Sequence, residues 1–305
     1  MNERGDTQET RCGFVALIGA PNAGKSTLMN QLVGSKISIV THKVQTTRAV
    51  MRGIAMHDDT QIIFIDTPGI FAPRRRLDEA MVSTAWGSAR DADISVFLID
   101  AERGLSDDIE QIVGNLNSVS GPVHLLINKI DQVKREDLLA LTAKLNELYS
   151  FKETFMVSAL KGDGCEDFMD FLAQNLPAGP YMYPEDQLSD LPMRMLAAEV
   201  TREKLYLRLH QELPYASHVE TESWEERKDG SAKISQVIYV ERQSQKKIVI
   251  GKNGATIKAI STAARKELEA FTEQKVHLFL FVKVRENWGD DPDRYREMGL
   301  EFPGG

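Results

Sequence analysis

Cysteine is scarce: Cys12 and Cys165 are the only two among 305 residues. They are too few and too far apart for a zinc site or a disulfide framework. Their number fits a reducing compartment in which both serve as small packing residues. Long apolar runs are missing too, none approaching the ~20 residues that span a bilayer. Residues 1–11 are polar and lack a signal-peptide core, so a disordered lead-in is expected there. Basic residues are outnumbered, 37 Lys and Arg against 45 Asp and Glu, for a net charge of −8. That balance argues against a protein that coats nucleic acid non-specifically, yet leaves room for a local basic face. No repeat array or long low-complexity tract occurs. What remains is a chain 42% hydrophobic and long enough for about two ordinary domains, expected to be soluble and cytosolic.

The most informative stretch is Gly19-Ala20-Pro21-Asn22-Ala23-Gly24-Lys25-Ser26, a match to G-x-x-x-x-G-K-[ST]. An apolar run, 14–18, precedes it, and Thr27 with the residues to 33 can open a helix. This is the strand–loop–helix context in which successive N–H groups curl around phosphates at a helix N-terminus. Lys25 is then expected to reach the outer phosphates and the Ser26 hydroxyl to meet Mg²⁺.

Apolar runs at 14–19, 62–66, 94–100, 123–128 and 154–157 alternate with amphipathic stretches at 28–33, 107–119, 136–149 and 164–172. The alternation predicts an α/β, doubly wound, mostly parallel sheet, whose ligands collect at the C-terminal strand ends. Asp66-Thr67-Pro68-Gly69 closes one run. Asp66 can hold Mg²⁺ through water, and the Gly69 N–H can meet a γ-phosphate. Asn128-Lys129-Ile130-Asp131 closes another. Asp131 can accept two hydrogen bonds from guanine, a donor pair that adenine lacks. Asn128 can tie the base to the phosphate loop, and the Lys129 stem can cover the ring. The backbone of Ser158-Ala159, at a further strand end, can meet the guanine carbonyl.

Between these lies Gln45-Thr46-Thr47-Arg48. One threonine is expected to reach Mg²⁺ and the γ-phosphate, and Thr47 is favoured. Ile70 follows Gly69, and an isoleucine side chain has no polar group with which to orient an attacking water. Slow intrinsic hydrolysis is therefore expected. Arg74, Arg75 and Arg76 read either as a solvated mobile loop or as a contact to RNA or to a second domain.

A stretch rich in Pro, Gly and acidic residues, 177–190, reads as a linker. A helix is expected from about Pro192 to Leu213, then strands at 217–225 and 233–242. Next come Ile248-Val249-Ile250-Gly251-Lys252-Asn253-Gly254, with Ile257 and Lys258, a helix to about Thr272 and a strand at 276–284. Gly251 and Gly254 leave no side chain in the way of a sugar–phosphate chain, and helix N-termini on both sides would favour phosphate. Ile248, Ile250, Ile257 and Ile260 would form a groove for splayed bases. Lys246, Lys247, Lys258, Arg265 and Lys266 would make a basic face. Phe279 and Phe281 read as core strand residues.

The nucleotide motifs in this order are those of a GTPase domain, and the second half resembles a type II KH domain, an α+β RNA-binding module. P-N-x-G-K-S and Q-T-T-R, then Glu212-Leu213-Pro214-Tyr215 and Lys283-Val284-Arg285-Glu286-Asn287-Trp288, resemble the Era family over nearly the whole chain. The resemblance implies a G domain at 12–176, the linker at 177–190, a KH domain at 191–290 and a tail at 291–305. It also implies binding of the 3′ region of 16S rRNA, assistance to 16S rRNA processing and 30S subunit assembly, and GTP/GDP with Mg²⁺ as ligands. Catalysis would involve Lys25, Asn22, Thr47 and Gly69, with Ser26, Thr47 and water-linked Asp66 at the metal. In related GTPases a residue at the position of Asn22 ligates K⁺; here Asn22 is either such a ligand or a local cap. A monomer is expected, and the family adds peripheral association with the inner membrane face. A membrane-linked signalling GTPase and an RNA module that uses nucleotide only for stability remain as rivals.

Overall fold

The structure, a computed structural model, describes residues 10–210 and 212–303 and divides into two compact units. The first holds most of 10–190. Its strands are β1 (Arg11–Gly19), β2 (Met51–His57), β3 (Thr60–Asp66), β4 (Ile94–Asp100), β5 (Val123–Asn128) and β6 (Thr154–Val157). They form one sheet in the order β2-β3-β1-β4-β5-β6, parallel throughout except for the β2–β3 pair. β3, β4 and β5 are buried at every position, as expected of strands covered on both faces. That is why they read as unbroken apolar runs.

The helices of this unit are α1 (Lys25–Val33), α2 (Arg76–Asp91), α3 (Asp107–Asn115), α4 (Arg135–Leu148) and α5 (Cys165–Asn175). Ala85 and Ala89 of α2, Ile112 of α3 and Leu145 of α4 bury against Ile18, Phe97 and Ile127 of the sheet. α1 and α5 pack on β2 and β3. The chain order reverses at β1, which lies between β3 and β4. The loop leaving β1 therefore opens at the crevice where such sheets bind ligands.

Two elements have no counterpart in the sequence reading. β2 carries Arg52 and Gly53 and pairs antiparallel at the sheet edge, so it lacks the apolar run of its neighbours. α2 begins at Arg76, and the Asp78 carboxylate accepts from the N–H groups of Arg74 and Arg75 at 3.0 and 3.1 Å. The arginine run is thus a capped helix start, with Asp78 and Glu79 offsetting its charge at the dipole's positive end. Arg11, grouped with the lead-in by sequence, already lies in β1. Residues 1–9 of that lead-in fall outside the described residues.

The 177–190 linker is pinned along the first unit. The Gln61 side chain, fully buried, donates to the Tyr183 carbonyl and accepts from the N–H groups of Met182 and Tyr183. The Ile54 N–H donates to the Leu188 carbonyl at 2.9 Å, and Arg52 pairs with Asp190 at 2.8 Å. Cys12 and Cys165 are buried free thiols. Burial raises both, Cys165 to about 11, which makes them inert packing groups. Among the described residues no helix is long and apolar enough to cross a membrane.

The second unit contains α6 (Met193–Arg208), β7 (Ser217–Glu226), β8 (Ala232–Val240), α7 (Gln243–Ile250), α8 (Ala255–Thr272) and β9 (Val276–Val284). The sheet order is β7-β8-β9, with β7 antiparallel and β9 parallel to β8. Leu205 and Tyr206 of α6, Val249 of α7 and Ile260 of α8 bury against Val219, Ile238 and Val282. α6 stops at Arg208 rather than near Leu213. Pro214 bars the helix from the residue before it, and the Lys43 ammonium, which groups with this unit, donates to the carbonyls of Tyr206 and Leu209 at the helix end.

Candidate nucleotide and RNA sites

The loop leaving β1 turns through Asn22, at φ 65°, and Gly24, at φ 100°, into α1. The Lys25 ammonium is buried and donates to the carbonyls of Gly19 and Ala20, both at 3.0 Å. Burial lowers it to about 8, and the Asp66 charge draws it back up. Asp66 ends β3 and is fully buried. Its Oδ2 accepts from Ser26 Oγ at 2.7 Å, Ser38 Oγ at 2.9 Å and Thr47 Oγ1 at 3.4 Å. Burial pushes its carboxyl up, against the pull of these hydroxyls and Lys25. Its other oxygen, Oδ1, is buried without a hydrogen-bond partner. Three hydroxyls and a carboxylate with an unsatisfied oxygen are hard oxygen donors of the kind Mg²⁺ takes together with waters and phosphates.

Of the two adjacent threonines, Thr47 is the one in this cluster, with Oγ1 2.9 Å from Ser26 Oγ. Thr46 is engaged elsewhere, its hydroxyl on the Lys43 carbonyl at 2.7 Å and its own carbonyl accepting from Arg202. The Gln45 carbonyl accepts from the Tyr206 hydroxyl, and Arg48 is buried. Ser38 is the member that sequence reading missed. A serine in a polar loop carries no signal, and only the Asn30 side chain, which holds the N–H groups of Ile37 and Ser38 at 2.9 Å, sets its place.

Thr67 ties the exit of β3 to β1 through its hydroxyl on the Leu17 carbonyl at 2.8 Å. Beyond Pro68 and Gly69, the Ile70 N–H donates to the Gly19 carbonyl at 3.0 Å, and its side chain is buried in the core. The Ile70 side chain therefore presents no polar group at the phosphate loop.

At the ends of β5 and β6, Asn128 joins three loops. Its Nδ2 donates to the Ala23 carbonyl at 2.9 Å, and its Oδ1 accepts from the N–H groups of Lys129 and Ala159 at 2.8 and 3.0 Å. Lys129 sits at φ 63°, its ammonium on Asp100 at 2.5 Å, a partner that sequence reading did not assign. The Asp131 carboxylate accepts from Ser158 Oγ at 2.8 Å, with Lys161 at 3.6 Å. Ser158, then Lys161, hold it below the usual carboxylate range. An ionised carboxylate fixed at this point can take both donors of a guanine edge.

In the second unit Gly251 ends α7 at φ 75°, and a Cβ there would lie 2.2 Å from Thr256 Oγ1. Gly254, at φ 77°, meets nothing within 4 Å, so a chain can approach its backbone. Only one side of the loop is a helix N-terminus, that of α8; α7 contributes its C-terminal end, which disfavours phosphate. Exposed Lys252 and Lys258 supply the missing positive charge, and Asn253 stands exposed between the glycines. Ile248 is exposed, while Ile250 and Ile257 are half-buried. Ile260 is fully buried and supports the groove from beneath rather than lining it. Lys247 and Lys266 are exposed, Lys246 is half-buried, and Arg265 pairs with Glu269 at 3.5 Å. Phe279 and Phe281 are not core residues. They are 45% and 51% exposed, because alternation along β9 turns them to the face of the sheet away from the helices.

A doubly wound sheet with a phosphate loop at its switch point and an Asn-Lys-x-Asp strand end defines a guanine-nucleotide-binding domain, here followed by a KH domain. The profile of the family described as 50S ribosome-binding GTPase matches residues 14–129, and that of the KH domain matches 212–289. GTPase Era of Mesorhizobium japonicum is 70% identical over 301 residues, 99% of this chain and 97% of that protein. GTPase Era of Brucella suis is 64% identical over 98% of this chain and 97% of its own length. A solved structure of Era in complex with MgGDPNP and nucleotides 1506–1542 of 16S ribosomal RNA matches at TM-score 0.90 and 36% identity, covering 95% of this chain and 99% of that one. An Aquifex aeolicus Era variant bound to GDP·AlF4⁻ matches at the same TM-score and identity. The chain belongs to the Era family of GTPases.

Proposed function

We propose that this GTPase is an assembly switch that binds the 3′ region of 16S rRNA through its KH domain and assists 16S rRNA processing and 30S subunit assembly. The observation that carries the reading is the likeness, at TM-score 0.90 over 95% of the chain, to a protein holding a GTP analogue and nucleotides 1506–1542 together. The phosphate loop from Gly19 to Thr27 and the Asp66–Ile70 turn hold the phosphates. Lys25 and the Gly69 N–H face charge developing on the γ-phosphoryl group. Asn128, Lys129, Asp131, Ser158 and Ala159 hold guanine. Ser26 and Thr47, with Asp66 through water, would hold Mg²⁺, which neutralises phosphate-oxygen charge when bound; the unpartnered Asp66 Oδ1 supports that assignment. Asn22, in its left-handed turn, would be the residue to hold K⁺ when that ion binds, and otherwise caps local backbone.

Buried, apolar Ile70 leaves attacking water without a side-chain partner, so intrinsic turnover is slow. The loop around Ile250, Gly251, Lys252, Asn253, Gly254, Ile257 and Lys258 clamps about four nucleotides of single strand. The protein acts as a monomer in the cytoplasm and at the inner membrane face. Binding is reciprocal: RNA that prefers the GTP form tightens GTP to the same degree.

The test is in-cell crosslinking and sequencing of bound RNA, wild type against a Lys252→Asp, Asn253→Asp double variant. That variant reverses the loop's charge and leaves both glycines in place. A peak at the small-subunit RNA 3′ end that the variant loses supports the reading. A diffuse profile, or one the variant does not change, overturns it.

A further inference from the structure

β9 has two faces, and only one belongs to the KH groove. Leu280 and Val284 pack with Val249, Ile250 and Ile257 on the helix side. Alternation then sends His277, Phe279, Phe281 and Lys283 to the opposite side of the sheet. There Phe279 pairs across β8 with Ser235, and Phe281 with Val237. The two rings are 45% and 51% exposed. Neither has an aromatic or cationic partner among the described residues. The flanking charges are neutralised within the sheet, Lys233 by Glu225 at 3.2 Å and Lys283 by Glu222 at 2.7 Å. What stands open is a pair of aromatic faces, without an adjoining phosphate clamp.

We propose that Phe279 and Phe281 form a second RNA-contact surface, a platform on which two unpaired bases stack after the strand leaves the Gly251–Gly254 groove. Side chains two residues apart on a strand stand about 7 Å apart. That lets each ring take its own base, as aromatics on other RNA-binding sheets do. RNA is the occupant because the groove and the platform are opposite faces of one edge strand. A chain that crosses the edge of β9 meets both. The groove clamps about four nucleotides, whereas the RNA held by the Era relative spans nucleotides 1506–1542, so most of such an RNA lies beyond the groove. Two phenylalanines between Ser235, His277 and Lys283 make a small apolar patch with polar surroundings, suited to sequence-tolerant stacking. The inference rests on the RNA-binding reading above.

The test uses the full-length protein with a GTP analogue. It is titrated with the 1506–1542 RNA and with pieces of about six nucleotides tiled across it, each able to fill the clamp. Wild type binds the long RNA more tightly than any piece. A Phe279→Ala, Phe281→Ala double variant loses about ten-fold or more in affinity for the long RNA and keeps its affinity for the tightest piece. Phe281→Trp, combined with Phe279→Ala, restores part of the loss. Equal losses for long and short RNA would mean that the rings only support the groove, and no loss for either would mean that nothing stacks there; both overturn the platform alone. Wild type that binds neither RNA overturns the RNA-binding reading and the platform with it.

Discussion

Asn128 donates through Nδ2 to the carbonyl of Ala23, 105 residues earlier, at 2.9 Å. Its Oδ1 holds the backbone of Lys129 and Ala159, so one side chain fastens the phosphate loop to both loops proposed to read the base. The contact leaves no room beside it, since a Cβ on Gly24 would lie 2.2 Å from Asn128 Nδ2.

Asn128→Ala therefore removes three hydrogen bonds and leaves buried backbone groups unsatisfied. The expected cost is about 2–3 kcal/mol in stability, with GTP affinity reduced by a similar free energy, about 100-fold. Gly24→Ala is expected to give the same nucleotide phenotype by displacing Asn128 and straining a φ of 100°. Fluorescent-nucleotide titration and thermal melting of both variants check this; unchanged affinity in Gly24→Ala would separate the two residues.

Asp131→Asn turns one acceptor of the carboxylate into a donor. Guanine's two donors then face one acceptor and one donor, and guanine affinity should fall by about 100-fold or more. Xanthine, which offers a carbonyl where guanine has its amine, should be gained. Competition of GTP against XTP measures the exchange, and retained preference for GTP would remove Asp131 from base recognition.

Ser38→Ala deletes one of three hydroxyls on the Asp66 carboxylate. Loss of a hydrogen bond worth about 1 kcal/mol should raise the Mg²⁺ concentration for half-maximal GTP hydrolysis about five-fold, with the fold intact by circular dichroism. Hydrolysis measured across a Mg²⁺ titration decides it.

His124 on β5 is buried, its Nδ1 without a partner and its ring against the edge of Phe171 at 4.9 Å. Burial lowers its pKa from 6.5. The unfolded chain thus binds a proton that the folded chain refuses, so stability is full above pH 6.5 and declines as pH falls below it. His124→Leu should flatten that acid limb without altering GTP turnover at neutral pH. Melting curves of both proteins from pH 5 to 8 test the sign; an unchanged slope below pH 6.5 would assign the limb to other groups.

Much of the nucleotide site is legible in the sequence because its chemistry demands fixed residue types at strand ends. Gly24, Lys25, Ser26, Asp66, Asn128 and Asp131 stand in the order and spacing that a parallel sheet brings to one edge. What stayed hidden has no local signature. Ser38 is an ordinary loop serine until Asn30 folds its loop onto Asp66. β2 carries charge and glycine because it is an antiparallel edge strand. Phe279 and Phe281 look like core residues because aromatic alternation in a strand is the same whether its second face is covered or open.

The sequence by itself determined the alternation of buried strands and helices apart from β2 and α2, the phosphate and guanine motifs, and the G-x-x-G loop, since these follow from periodicity and from chemistry local to each motif. Only the tertiary structure decided which threonine meets Ser26 and Asp66, how Asn128 bridges loops distant in the chain, and which face of β9 stays open. Those outcomes depend on what packs against each residue from elsewhere in the chain, and local pattern carries no record of that.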